Sequence, residues 1–288
     1  MDYRELGNTG MRVSAIGFGG SAIGIQGYID GQDRDSFLFR TEAKAALLDA
    51  VRVGINYFDT APTYGEGRSE RLFGEVLAPF RSRIFLGTKF KWTTDSTPGQ
   101  LDELLGLSLE RLQTHQVDLL QCHGLNIEDE SAQQLLSSFL PDWLAGIKAK
   151  GLARHVGFTA ETPSRGVERL LQSRLFAVMQ IGYNVMATAA CDYRWGPFGV
   201  IPMARQLGIG VLTMRTSTTG MFQRLMKIDF PEIDERKLTR LAIRFALSTP
   251  EVNCALVGMQ SVADVRDAAE LIKKGAARYD LHELNRRR

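Results

Sequence analysis

Sulfur ligands and imidazoles are scarce in this chain: three cysteines and four histidines in 288 residues. Cys122, Cys191 and Cys254 stand far apart, with no Cys-x-x-Cys pair and no Cys/His ligand spacing. Neither a disulfide framework nor a metal site is therefore indicated, and a reducing compartment fits. No apolar run reaches the ~18 residues that span a bilayer, and Met1-Asp2-Tyr3-Arg4-Glu5 lacks the apolar core of a secretion signal. The expectation is a soluble, cytoplasmic protein. An excess of one charge is missing too: 35 Lys and Arg face 33 Asp and Glu, a net charge of +2. That balance gives no case for nucleic acid or a membrane surface as partner, and the Arg286-Arg287-Arg288 end reads as a solvated tail. Linker-like and low-complexity stretches are absent as well, so one domain over residues 1–288 is expected.

What is present is an alternation. With 44% hydrophobic and 24% charged residues the chain has the composition of a globular protein with a sizeable core. Short segments on either side of Asn8-Thr9-Gly10 predict a small N-terminal hairpin. Eight short runs rich in β-branched and aromatic residues follow: 15–20, 55–61, 84–90, 117–124, 155–160, 176–183, 209–214 and 254–259. Their near-continuous apolar character is that of parallel strands buried on both faces. Helical spacing occupies 42–53, 69–78, 131–150, 164–172, 234–248 and 261–274, and Thr97 with Pro98 opens another helix whose stripe is Leu101, Leu104, Leu105, Leu109 and Leu112. Eight strands alternating with helices predict an α/β fold of the closed (β/α)8 TIM barrel type. The open doubly wound sheet is the alternative, and no Gly-x-Gly-x-x-Gly follows the first strand to support it.

Barrel chemistry sits at the carboxyl ends of the strands. The second strand ends in Asp59, after which Pro62 and Gly65 turn the chain and Ser69 is placed to cap the next helix. Tyr64 lies in that turn. The third strand ends in Thr88-Lys89 and the fourth in Cys122-His123-Gly124. Individually these are ordinary residues: a turn aspartate, a rim tyrosine, a snorkelling lysine, a core histidine. Together, an acid, a phenol, an ammonium and an imidazole at one mouth suit proton transfer.

The run from Gly54 to Gly65 (Gly-Ile-Asn-Tyr-Phe-Asp-Thr-Ala-Pro-Thr-Tyr-Gly), with Thr88-Lys89, Val117-Asp118-Leu119-Leu120-Gln121-Cys122-His123 and Gly157-Phe158-Thr159, resembles the aldo-keto reductases over nearly the whole chain. The resemblance implies a hairpin plugging the barrel bottom and a catalytic tetrad of Asp59, Tyr64, Lys89 and His123. It further implies hydride transfer between NADP or NAD and a small carbonyl or sugar substrate, by a monomer or weak homo-oligomer. Tyr64 would carry the proton, Lys89 would lower the tyrosine pKa, Asp59 would hold Lys89, and His123 would orient the carbonyl. Thr159 and Gln180 fall where the family binds the nicotinamide carboxamide, with Ala160 where an asparagine is usual. Met214 stands in place of the stacking aromatic, and Arg215, Thr216, Ser217 and Thr218 fall on the pyrophosphate path.

At the adenosine end Gly258, Gln260, Ser261 and Asp264 replace the usual cation-bearing segment and are similar to the NAD-using sugar dehydrogenases of the family. Ser261-x-x-Asp264 is also a capping box. Trp92, Trp195 and the aromatics of a long first loop (25–39) are candidates either for walling a substrate pocket or for anchoring loops. A cofactor-binding regulatory subunit of the same fold, like the potassium-channel β subunits, is the competing function. A Schiff-base aldolase using Lys89 is disfavoured by the Asp59 partner.

Overall fold

The computed structural model describes residues 1–27, 32–124, 126–193 and 197–286. The hairpin is β1 (Tyr3–Glu5) and β2 (Arg12–Ser14), paired antiparallel with Arg4 opposite Val13. The barrel strands are β3 (Ile16–Gly19), β4 (Tyr57–Asp59), β5 (Phe85–Phe90), β6 (Val117–His123), β7 (Ala153–Ala160), β8 (Val178–Gly182), β9 (Gly210–Met214) and β10 (Cys254–Gly258). They close in sequence order, β10 pairing in parallel with both β3 and β9. The expected closed barrel is thus the observed one.

The hairpin seals the bottom for a physical reason. Leu6, Met11 and Val13 are buried in a cluster with the inward side chains of Tyr57, Leu119, Val178, Leu212, Cys254 and Leu256. Gly7, at φ 51°, packs so closely on β9 that a Cβ would overlap the Gly210 amide, and Asn8 donates its backbone N–H to the Gly208 carbonyl at 2.8 Å. Outside the barrel, Phe18 of β3 and Phe58 of β4 stack 5.9 Å apart and both meet Phe73 edge-on, pinning helix Arg68–Leu77 to the strands that carry the mouth residues. Burying each such ring contributes about 1.5–3 kcal/mol.

The helices differ from the sequence expectation in several places. The stretch 131–150 is two helices, Asp129–Ser137 and Leu140–Ala149. The Ser138 hydroxyl donates to the Leu135 carbonyl and accepts from the Leu140 amide, and Pro141 lacks the N–H that a continuous helix would need. The first barrel helix starts earlier, as Phe37–Val53 capped by Ser36, which moves Phe37 and Phe39 out of the loop; Phe39 is buried in the core and Phe37 points to solvent. Short helices Val200–Gln206 and Met221–Asp229 escaped the pattern because Pro202 and exposed apolar residues blur their periodicity.

Candidate active site

Asp59, Tyr64, Lys89 and His123 converge at the carboxyl end of the barrel. Asp59 ends β4, Lys89 is the penultimate residue of β5, and His123 ends β6. The Lys89 ammonium donates to Asp59 Oδ2 at 2.6 Å and to the Thr60 carbonyl at 2.8 Å. It also hydrogen-bonds the Tyr64 phenol and lies 4.9 Å from the centre of that ring. Tyr64 meets His123 edge-on, with ring centres 6.1 Å apart. Lys89 is 2% exposed, so this charge is held inside the protein and not at a snorkelling surface position.

The turn bearing Tyr64 is fixed by its neighbours. Gly65 has φ 64°, and a Cβ there would overlap the Gly24 carbonyl. Arg68 donates to that same carbonyl at 2.7 Å and grips Asp35 through two 2.8 Å hydrogen bonds. Ser69 does not cap its helix, which starts at Arg68 after a left-handed Gly67; its hydroxyl instead accepts from Thr60 at 2.8 Å. The next residue, Glu70, is fully buried and takes the Thr88 hydroxyl at 2.7 Å and the Arg111 guanidinium at 2.7 Å. That contact locks the helix to the residue preceding Lys89.

Electrostatics follow from this geometry. Burial opposes the Lys89 ammonium, but the Asp59 and Tyr64 side chains outweigh it and hold its pKa above the ordinary lysine value. Asp59 is pushed upward by burial against the opposing pull of Lys89, Gln121 and Gln180. His123 is lowered to about 3, by burial first and by Lys89 and Lys91 next. It is therefore a neutral imidazole at working pH, a hydrogen-bond partner and not an acid.

A cavity of about 290 Å³ opens at this mouth, lined by Asp59, Tyr64, His123, Gln180, Met214, Arg215, Thr216, Ser217 and Gly258, with Glu161 on its wall. Gln180 directs Nε2 at Met214 Sδ, 3.5 Å away. Thr159 is fully buried and spends its hydroxyl on the Gly124 carbonyl at 2.8 Å, so it holds the loop after β6. Thr216 is buried, its hydroxyl turned back on Thr213, and Thr218 accepts the Phe222 amide at 3.0 Å. Ser261 and Asp264 form the capping box, Asp264 Oδ2 accepting from the Gln260 and Ser261 amides at 3.0 Å each. Gln260 reaches the Ala22 carbonyl with its side chain.

Trp92 is half-buried and packs against the main core, and its backbone N–H donates to the buried Cys122 thiol. Trp195 and the first-loop aromatic Tyr28 lie outside the described residues. Sequence reasoning missed Glu161, which binds Arg215 through two bonds of 2.5 and 2.8 Å across the mouth. It also missed Gln121 and Glu70 as structural partners. Among the described residues no cluster could hold a metal ion, and no helix is long and apolar enough to cross a membrane.

The sequence profile of the Aldo/keto reductase family matches residues 15–285. The L-galactose dehydrogenase of Arabidopsis thaliana is 29% identical over 295 residues, covering 93% of this chain and 86% of that protein. An Arabidopsis thaliana protein named as a voltage-gated potassium channel β subunit is 32% identical, but over 43% of this chain and 37% of its own length. Among solved structures, an aldo/keto reductase from Klebsiella pneumoniae in complex with NADP and acetate superimposes with a TM-score of 0.73. It covers 99% of this chain and 94% of that one, at 19% identity.

Proposed function

The chain belongs to the aldo/keto reductase family, and on that premise we propose that it is an oxidoreductase moving a hydride between a nicotinamide cofactor and the carbon of a small carbonyl or alcohol. The observation that carries this reading is the buried relay in which Asp59 holds Lys89 and Lys89 holds the Tyr64 phenol, with neutral His123 beside it at the cavity.

The residues fit a dinucleotide. The cavity joins an amide, Gln180, to hydroxyls and a guanidinium at Ser217, Thr219 and Arg215, which are donors suited to a carboxamide and a pyrophosphate. Gly258 leaves room at the far end, where a Cβ would press on Ala22 at 2.9 Å. The bound nicotinamide supplies or receives the hydride. The chain's residues do the rest. Tyr64 gives its proton to the carbonyl oxygen in reduction and recovers it in oxidation. Lys89 stabilises the phenolate left behind, and Asp59 keeps Lys89 charged in a site where burial alone would neutralise it. His123, as a neutral donor, orients the carbonyl oxygen toward Tyr64.

Cofactor choice follows the adenosine end. Asp264 is committed to capping, and Arg266 turns away to pair with Asp49 at 3.3 Å. No cation of this segment is offered to a 2′-phosphate, so NAD(H) is used as readily as NADP(H). A sugar or other hydroxylated aldehyde is the first substrate class to try, given the L-galactose dehydrogenase relative and the polar side chains of Glu161, Gln180 and Arg215 on the cavity wall. We read the chain as one barrel domain acting in a reducing compartment, where its three buried free cysteines persist.

The test is a panel of aldehydes, aldoses and alcohols with NADH, NADPH and their oxidised forms, followed at the nicotinamide absorbance band. Turnover of at least one substrate is the expected result. Cofactor binding without any turnover would return the protein to the regulatory class.

A further inference from the structure

Gln121 sits on β6 two residues before His123, fully buried, and its amide is spent in an unusual way. Nε2 donates once to Asp59 Oδ1 at 3.1 Å and once to Gln180 Oε1 at 3.0 Å. Oε1 is left without a donor among the described residues. Turning the amide over would set its oxygen against a carboxylate and another carbonyl, so the orientation is fixed by its partners. A buried carbonyl without a donor is costly, and an apolar residue would avoid that cost. The side chain that stays is the one that links two parts of the site.

Each link has a consequence. Asp59 presents one oxygen to Lys89 and the other to Gln121, so Gln121, together with Gln180, shares the carboxylate's charge that would otherwise fall on Lys89. Gln180 has its oxygen occupied by Gln121, which turns Nε2 toward Met214 and Asp59 at the cavity wall. We infer that Gln121 is a positioning residue that joins the proton relay to the cofactor-facing amide, setting both the charge balance at Lys89 and the orientation of Gln180. The inference rests on the oxidoreductase reading above and goes beyond the tetrad.

The ionisable groups facing this network are Asp59, Lys89, Tyr64 and His123 from the strand ends, with Tyr57 and Cys254 below. His123 at about 3, and Tyr57 and Cys254 both pushed up by burial, do not titrate near neutrality. A limb in the pH profile of alcohol oxidation therefore reports the Asp59–Lys89–Tyr64 relay as a unit. Loss of the Gln121 donor makes Asp59 draw more on Lys89, weakens the support of the phenolate, and moves that limb to higher pH.

The experiment compares wild type, Gln121→Leu, the isosteric Gln121→Glu, Gln180→Leu alone, and Gln121→Leu combined with Gln180→Leu, with circular dichroism as the check on folding. Cofactor dissociation constants are read by nicotinamide fluorescence, a measurement that does not need turnover. Gln121→Leu is expected to weaken cofactor binding about tenfold, the scale of one buried hydrogen bond, and to raise the limb by about one pH unit. Gln121→Glu, bringing a second acid beside Asp59, is expected to raise it further. In the Gln180→Leu background the Gln121→Leu effect on affinity disappears. Folded variants with unchanged affinity and an unchanged limb would overturn the inference, as would an affinity loss undiminished without Gln180. If Gln121→Leu fails to fold, Gln121→Glu decides on the same readouts. A wild type that turns over nothing would defeat the oxidoreductase reading instead, and the affinity comparison would still decide the role of Gln121.

Discussion

Replacing Asp59 by asparagine keeps its volume and removes its charge, and the effect follows from the burial of its partner. Lys89 is 2% exposed and holds its proton because Asp59 and Tyr64 outweigh burial. Without the carboxylate, burial becomes the leading influence and the lysine falls below its ordinary pKa of about 10.4. Removing one partner of such a pair costs about 3–5 kcal/mol, a drop in Tm of roughly 5–15 °C for a chain of this size. In the wild type the raised lysine contributes stability that is present below its unfolded-state pKa and lost as pH rises through the higher folded value. In the variant the depressed lysine is a penalty that is greatest at low pH and fades above the unfolded value. The two melting curves therefore differ most near neutrality and approach each other toward about pH 10–11. Turnover falls by about 10²-fold or more because a neutral amine cannot support the phenolate. Circular dichroism melts at several pH values, with kinetics at neutral pH, measure all three effects. An equal Tm at pH 7 with normal turnover would refute the charge argument.

Two further predictions concern the rim of the site. Because burial and the neighbouring lysines hold His123 at about 3, the profile of kcat/KM carries no limb near pH 6.5 from this residue; a limb there that vanishes in His123→Asn would contradict its assignment as a neutral donor. At the adenosine end the wild type binds NADPH and NADH with similar dissociation constants, and Asp264→Arg shifts the ratio toward NADPH by about tenfold or more, the scale of a charge-assisted contact. A native NADPH preference of a hundredfold, or no gain in the variant, would show that phosphate recognition lies elsewhere.

The barrel, and the meeting of Asp59, Tyr64, Lys89 and His123 at its mouth, were legible in the sequence because both depend on local pattern. Buried parallel strands carry near-continuous apolar runs, and the mouth residues stand where those runs stop, as at Asp59, Lys89 and His123. Contacts made across the barrel left no such trace. Gln121 meets Asp59 and Gln180 from positions 62 and 59 residues away, and Glu161 reaches Arg215 from 54 residues away; spacing along one strand cannot encode either. The same holds for Glu70, whose place in a helical pattern hides its role between Thr88 and Arg111. Trp92, an aromatic just past a strand end, was readable either as a pocket wall or as a loop anchor; half-buried, it packs against the core. Ser261 and Asp264 were readable in two ways, as cofactor contacts and as a capping box, and the box is what the backbone makes.

The central claim is that Tyr64 carries the proton. Tyr64→Phe removes the hydroxyl and leaves the ring against His123 and Lys89, so the direct measurement is turnover and cofactor affinity in that one variant. The account predicts unchanged cofactor binding with kcat reduced by at least about 10²-fold, the loss typical of a general acid or base; near-normal kcat with a folded, cofactor-binding variant would contradict it.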